Sequence, residues 1–298
     1  MYQKICVNTT EYKVTNTTEI ENAYREALCF TKSHYENFPV VSFFIPKELR
    51  KHIAVVYKFA RQADDIADEG NNEIEQRIQQ LSDYKQKLSD ALNQKFYDGF
   101  WSAFYNTVTE RNLPPQNFFD LLSAFEQDIT KTRYNNFSEL LNYCTHSANP
   151  VGRIILDLFN ISDNEAIKYS DAVCTALQLT NFLQDTAVDY SKGRIYLPLD
   201  EMKNFGVEEN IFRLKENNSN FMLLLKHQIG RIDGMFDTGK KLLVKLPSSL
   251  KYQIKMTILG GKEILRKIEK NNYDVLNVRP ALTKADFINL LLKSFTFR

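Results

Sequence analysis

The sequence predicts an all-α protein, and three observations carry that reading. Only 10 glycines and 8 prolines punctuate 298 residues. Long stretches repeat apolar residues at three-to-four spacing, the period of an amphipathic helix, so strand content should be negligible. Start signals fall where those stretches begin: Pro46 and Pro115 stand in first turns that tolerate proline, and Ser138 and Thr283 are good N-caps.

In chain order, the first helix is expected from Thr18 to Ser33. The second, from Pro46 to Asp68, opens on proline and carries the apolar-periodic run "KHIAVVYKFARQ". Periodicity continues from Glu73 to Asn93 and from Asp98 to Arg111. Two more helices follow, from Pro115 to Thr132 and, behind the Ser138 cap, from Ser138 to Phe159. A long one runs from Asn164 to Tyr190. The segment "KGRIYLPLDEMKNFGV" then breaks the period at Gly193 and Pro198 and reads as the main non-helical insertion. The last helices run from Asn218 to Leu246, Leu250 to Asn271 and Thr283 to Ser294. No Gly/Ser-rich linker, repeat or shift of composition divides residues 1–298, which are expected to form one helical domain.

Composition excludes several classes of function. With 38 Lys+Arg against 37 Asp+Glu, the chain has no basic footprint for nucleic acid, so any charged site must be local. Cys6, Cys29, Cys144 and Cys174 include no C-x-x-C pair and suggest buried free thiols in a reducing cytoplasm. The first residues lack a signal-peptide core, and no run of about 18 apolar residues exists to span a bilayer. A cytoplasmic protein is expected, compatible with peripheral contact at a membrane.

The stretch "ADDIAD" puts Asp64, Asp65 and Asp68 within five residues at the end of the second helix. Residues four apart share a helix face, so Asp64 and Asp68 stack one turn apart, with Asp65 about 100° around the axis. On a wet surface such repulsion costs about 0.2–0.5 kcal/mol per pair. At ~6 Å and an effective dielectric near 20 it approaches roughly 3 kcal/mol, so a cleft would need a cation. The stretch "NFLQDTAVD" repeats the theme, with Asn181, Asp185 and Asp189 at four-residue steps on one face. An amide oxygen and carboxylates are the hard ligands Mg²⁺ accepts, with water and substrate phosphate completing its shell. Two such faces could clamp about two or three Mg²⁺ ions, which would hold a diphosphate. Arg61 is close enough in sequence to pair with Asp64 or Asp65 and to help balance charge.

Competing motifs fail. "GMFDTGKK" nearly matches a phosphate loop, but Lys241 stands where a magnesium-binding hydroxyl belongs and no strand precedes it. No G-x-G-x-x-G opens a strand-to-helix turn, so the chain shows no recognisable nicotinamide fold. His34, His52, His146 and His227 show no metal-binding spacing. The 21 Phe and 15 Tyr are core residues by default, some of which would line a hydrocarbon pocket in a diphosphate enzyme.

Five blocks, in order, resemble the squalene/phytoene synthase family: "HYENFPVVSFFIPKELRKHIAVVYKFARQADDIADEG", "FEQDITKTRY", "YCTHSANPVGR", "LQLTNFLQDTAVDYSKGRIYLP" and "YDVLNVRPAL". Within it, "ENFPV", "SANPVGR" and "YDVLNVRP" are most similar to bacterial hydroxysqualene synthases of the hopanoid branch. The resemblance implies an isoprenoid synthase helical bundle with a central cavity and two aspartate-rich helices facing across its mouth. By matching positions, Asp64, Asp68, Asn181 and Asp185 would ligate Mg²⁺, with Asp65 and Asp189 in support. His34, Tyr35, Glu36, Asn37, Tyr57, Arg61, Gln178 and Tyr273 would hold a prenyl diphosphate, with Arg50 and Arg194 as further phosphate contacts. Tyr143 would stand near the reacting carbons.

Two departures bear on the reaction. Where many condensing relatives read Asn-x-x-Arg-Asp-x-x-Glu-Asp, this chain has Gln184 and Val188. The missing guanidinium removes one diphosphate partner, which favours a single diphosphate substrate. The resemblance therefore implies Mg²⁺-dependent conversion of presqualene diphosphate and water to hydroxysqualene, with no NADPH required. Head-to-head condensation of farnesyl or geranylgeranyl diphosphate is the enzymatic alternative. A non-catalytic, lipid-binding assembly protein is the alternative from another class. Intact acidic ladders argue against it, because unused facing carboxylates are a standing electrostatic cost.

Overall fold

The computed structural model describes residues 16–33, 45–68 and 73–296. Among them every regular element is a helix. The order is α1 (Thr17–Ser33), α2 (Lys47–Asp68), α3 (Ile74–Leu92), α4 (Gly99–Glu110), α5 (Pro115–Thr130), α6 (Phe137–Ser147) and α7 (Asn149–Leu158). Then come α8 (Asn164–Gln184), α9 (Thr186–Ser191), α10 (Leu199–Asn204), α11 (Asn210–Leu214), α12 (Ser219–Gly239), α13 (Ser248–Lys270) and α14 (Lys284–Thr296).

Helix starts follow local chemistry. Asp98, Asn136, Asp163 and Asn218 accept hydrogen bonds from Trp101, Glu139, Glu165 and Phe221 backbone N–H groups and so cap α4, α6, α8 and α12. The cap of α6 is thus Asn136 and not the expected Ser138. Thr283 does cap α14, in a reciprocal arrangement with Asp286.

Three expected helices are broken. The span from Ser138 to Phe159 divides at Ala148, because Pro150 lacks an N–H and opens a new first turn instead of continuing the old one. The span from Asn164 to Tyr190 is interrupted at Asp185, whose backbone (φ −102, ψ 12) ends α8 and starts α9. The i→i+4 bonds nevertheless run through it, from Asp185 to Asn181 and from Asp189 to Asp185 at 2.8 Å each. The span from Asn218 to Leu246 tightens after Gly239 into a 3₁₀ turn, Lys240–Val244. The insertion after Gly193 contains one short helix, α10, that its broken period concealed, and a second, α11, follows it before α12.

Two large apolar clusters hold the bundle. One joins α1 to α5, with Phe59 of α2 fully buried against Phe104 (centroids 4.9 Å apart) and Phe118 (5.3 Å). The other gathers α8, α12 and α13 with Ile195, Tyr196 and Leu197. Here Gly261 of α13 lets the Phe236 ring of α12 approach so closely that a Cβ would stand 2.4 Å from it. The acidic end of α2 belongs to the first cluster and that of α8 to the second. Among the described residues no helix is long and apolar enough to cross a membrane.

Candidate active site

The two acidic ladders line one cavity of about 230 Å³. Asp64 and Asp68 enter from α2, Gln178, Asn181 and Phe182 from α8, Asp185 from the break, and Asp189 from α9. Phe125 and Asp128 of α5, Tyr143 and Ser147 of α6, and Arg194 and Tyr196 complete the wall.

Arg194 and Tyr196 reach the wall because of how α9 ends. Gly193 takes φ +82, a left-handed conformation that glycine adopts without strain. The Gly193 N–H bonds to Tyr190 O (2.9 Å) and the Arg194 N–H to Asp189 O (2.9 Å), which caps α9 and turns the chain. The following segment lies along the end of α5, with Ile195 N–H bonded to Thr132 O and Leu199 N–H to Tyr134 O, both at 2.9 Å.

The carboxylates are paired with cations. Arg61 bridges Asp64 (3.1 Å) and Asp65 (2.8 Å), while Asp68 takes Lys192 (2.9 Å) and Arg194 (2.5 Å). Arg279 pairs with Asp185 through Nε to Oδ1 and Nη2 to Oδ2, the latter at 3.2 Å. Burial opposes ionisation of Asp68, but hydrogen bonds from Arg194 and Lys192 outweigh it and hold its carboxyl below the usual range. Burial, reinforced by Asp185, pushes Asp189 up to about 7. Asp128 is pushed up to about 6 by burial, although Tyr143 and Tyr196 both hydrogen-bond to it.

No three His, Cys, Asp or Glu side chains among the described residues converge tightly enough to cage a metal ion alone. The donor set instead suits Mg²⁺, which takes one or two carboxylates and completes its shell with water and phosphate oxygens. Asp64, Asp68, Asn181, Asp185 and Asp189 present such oxygens to one space.

Of the other sequence-selected residues, Gln178, Arg194 and Tyr143 line this cavity, whereas Asp65, Arg61, Arg50, Tyr57 and Tyr273 stand outside its wall. Arg50 donates through Nε to Ile45 O (2.8 Å), Tyr57 lies against Phe30, and Tyr273 sits in the left-handed turn after α13. His34, Tyr35, Glu36 and Asn37 lie outside the described residues. Two wall-side residues, Asp128 and Arg279, escaped the sequence reading, although both lie in blocks that carry the resemblance.

Gln184 requires a correction. Its amide is buried (2% exposed) and donates to Pro280 O at 2.6 Å, so it does not leave a gap at the cavity. It ties α8 to the turn from which Arg279 reaches Asp185, and a guanidinium is present at the mouth after all.

A second cavity of about 170 Å³ follows the same side of α8. Val173, Cys174 and Leu177 line it together with Gly152, Ile155 and Leu156 of α7 and Leu242, Leu250 and Ile254. Cys174 and Leu177 are one helical turn from Gln178 and Asn181, so the apolar and acidic walls are successive turns of one helix face. Volume alone does not mark the site: a groove of about 510 Å³ between α1, α2 and α4 gathers none of the ladder residues.

A helical bundle that sets two carboxylate ladders around one space, beside an apolar cavity, has the layout of a helical diphosphate-handling protein. The chain belongs to the squalene/phytoene synthase family, whose model matches residues 31–286. It is 31% identical to the hydroxysqualene synthase of Rhodopseudomonas palustris over 255 residues, 85% of each chain. It is 29% identical to phytoene synthase 2 of Solanum lycopersicum over 256 residues, 84% of this chain and 82% of that one. Among solved structures it resembles squalene synthase HpnC from Alicyclobacillus acidocaldarius, with a TM-score of 0.81, 34% identity, and coverage of 87% of this chain and 97% of that one.

Proposed function

We propose that the protein is a Mg²⁺-dependent isoprenoid synthase that converts presqualene diphosphate and water to hydroxysqualene and diphosphate. The observation that carries this reading is the convergence of Asp64, Asp68, Asn181, Asp185 and Asp189 on a single cavity. Similarity to a hydroxysqualene synthase supports the choice of reaction.

In this reading Asp64, Asp68, Asn181 and Asp185 hold the metal, with Asp65 and Asp189 in support. When bound, Mg²⁺ supplies Lewis-acid stabilisation of the leaving diphosphate. Arg194, Lys192 and Arg279, which pair with Asp68 and Asp185, turn to the phosphate oxygens as charge-assisted donors. Gln178 adds an amide. Phe125, Phe182 and Tyr196 present ring faces, whose negative quadrupoles stabilise cationic carbon. The apolar cavity beside α8 receives hydrocarbon and excludes bulk water while the cation rearranges.

The test is product analysis by mass spectrometry with presqualene, farnesyl and geranylgeranyl diphosphates, each with and without Mg²⁺. Hydroxysqualene from presqualene diphosphate, without reductant and carrying ¹⁸O from labelled water, is the expected result. Squalene that forms only with NADPH refutes the water-quench reading. Phytoene or presqualene diphosphate as the main product favours the condensing alternative, to which the similarity to a phytoene synthase points.

A further inference from the structure

Three side chains at the cavity wall, Tyr143, Asp128 and Tyr196, form a hydrogen-bonded chain whose direction is fixed by chemistry. An ionised carboxylate can only accept, so the phenols beside Asp128 must donate to it. The single phenol proton of Tyr196 is then given to Asp128 Oδ1 at 3.2 Å. From the other side, Tyr143 gives its proton to Asp128 Oδ2 at 2.8 Å. Both phenol protons therefore end on one carboxylate, and the Tyr143 oxygen keeps its lone pairs for another partner.

Packing locks this arrangement. Tyr143 and Tyr196 are 4% and 8% exposed. The Tyr196 ring stacks on Phe182, with centroids 3.7 Å apart and planes 7° from parallel. Tyr134 covers its other neighbourhood at 5.7 Å. Asp128 itself opens on the cavity shared by the acidic ladders.

We infer that Asp128 is a positioning residue for the nucleophilic water, acting through Tyr143, an inference that rests on the water-quench reading above. The Tyr143 oxygen accepts one O–H of the water, which turns the water's lone pair toward the cationic carbon. As the C–O bond forms from that lone pair, the accepted O–H breaks and its proton passes to Tyr143. The Tyr143 O–H breaks in turn, its proton passing to Asp128 Oδ2. Cation, water and carboxylate become alcohol and carboxylic acid, with no change of oxidation state, and Asp128 later returns the proton to solvent. Burial brings this carboxyl to about 6, which leaves it ionised near neutrality yet a competent proton acceptor.

The test uses the full-length enzyme with presqualene diphosphate, Mg²⁺ and ¹⁸O-labelled water, reading diphosphate release and products separately. Asp128→Asn keeps the shape but cannot take a proton, and its NH₂ donates where a carboxylate accepted. Diphosphate release should stay within about tenfold of wild type, while the labelled-alcohol share of product falls at least about tenfold in favour of proton-loss hydrocarbons. An unchanged alcohol share overturns the inference, as does a parallel fall of release and alcohol, which is what a merely structural role gives. If Asp128→Asn loses the helical circular dichroism spectrum, Tyr143→Phe decides. The same product shift supports the inference, and an unchanged share overturns it. Wild-type enzyme that makes no labelled alcohol sinks the functional reading, and the inference with it.

Discussion

Replacing Arg279 with alanine should weaken diphosphate binding and strengthen Mg²⁺ binding, two effects of opposite sign from one side chain. Arg279 grips Asp185 through two nitrogens, with side chains 48% and 28% exposed. A pair that wet contributes about 0–1 kcal/mol to folding, so the thermal midpoint should move by no more than a few degrees. The same exposure sets the metal effect: freeing Asp185 of its competing cation should tighten binding of Mg²⁺ alone by about 2- to 5-fold. Diphosphate is different, because it loses a charge-assisted donor. At about 1.5–3 kcal/mol for hydrogen bonds to a charged group, Mg²⁺-diphosphate affinity should fall roughly 10- to 150-fold. Isothermal titration with Mg²⁺ alone, then with inorganic diphosphate at saturating Mg²⁺, separates the two. Unchanged diphosphate affinity refutes the claim that Arg279 turns from carboxylate to phosphate. Weaker binding of Mg²⁺ alone refutes the claim that the pair competes with metal.

Asp64→Asn and Asp185→Asn should each reduce turnover at least about a hundredfold while keeping the helical circular dichroism spectrum; near-normal turnover shows that other carboxylates hold the metal. His52 is fully buried, shares Nδ1 with Thr107 Oγ1 (3.0 Å) and lies edge-on to Tyr24. Burial, helped by Arg111 and Lys51 against the opposing Glu110, lowers its pKa to about 4, so between about pH 6.5 and 4 the unfolded chain binds a proton that the folded one refuses. Stability should therefore fall as pH drops through that window, by up to ~1.4 kcal/mol per pH unit, and denaturant titrations of His52→Gln should lack that part of the slope. Gly261→Val drives a side chain into the buried Phe236 ring and should cost about 3 kcal/mol, lowering the thermal midpoint by roughly 5–10 °C in scanning fluorimetry.

The helices were legible because apolar spacing is written locally, and the ladders because like charges at four-residue steps need a reason. The helix breaks were harder to see. Pro150 did announce the one at Ala148, but the apolar period runs through it. Nothing local announces the one at Asp185, whose neighbours on both sides are helical. Asp128 was invisible for another reason: a lone carboxylate on α5 acquires its role only when α6 and the segment after Gly193 bring two tyrosines to it. Gln184 was legible as a departure, yet its consequence was misread, because only the tertiary contact with Pro280 shows that the amide faces away from the cavity and toward the turn that supplies Arg279.

The pairing of Asp64, Asp65, Asp68 and Asp185 with Arg61, Lys192, Arg194 and Arg279 has a consequence for encounter with substrate. Five carboxylates of the ladders, with Asp128 on the same wall, are met by four cations, and Asp189, near its midpoint at neutrality, carries less than a full charge. The mouth therefore keeps only a small net negative charge, screened beyond about 8–10 Å, the Debye length at physiological salt. Under the proposed function, a polyanionic diphosphate should meet far less repulsion there than five bare aspartates would give, and free Mg²⁺ should be drawn in only weakly. The species best received is one that brings both signs together, a metal already chelated by the diphosphate, because it offers cations to the aspartates and anions to the bases in a single exchange of partners. Association should then depend only weakly on ionic strength, a kinetic signature unlike that of electrostatically steered capture.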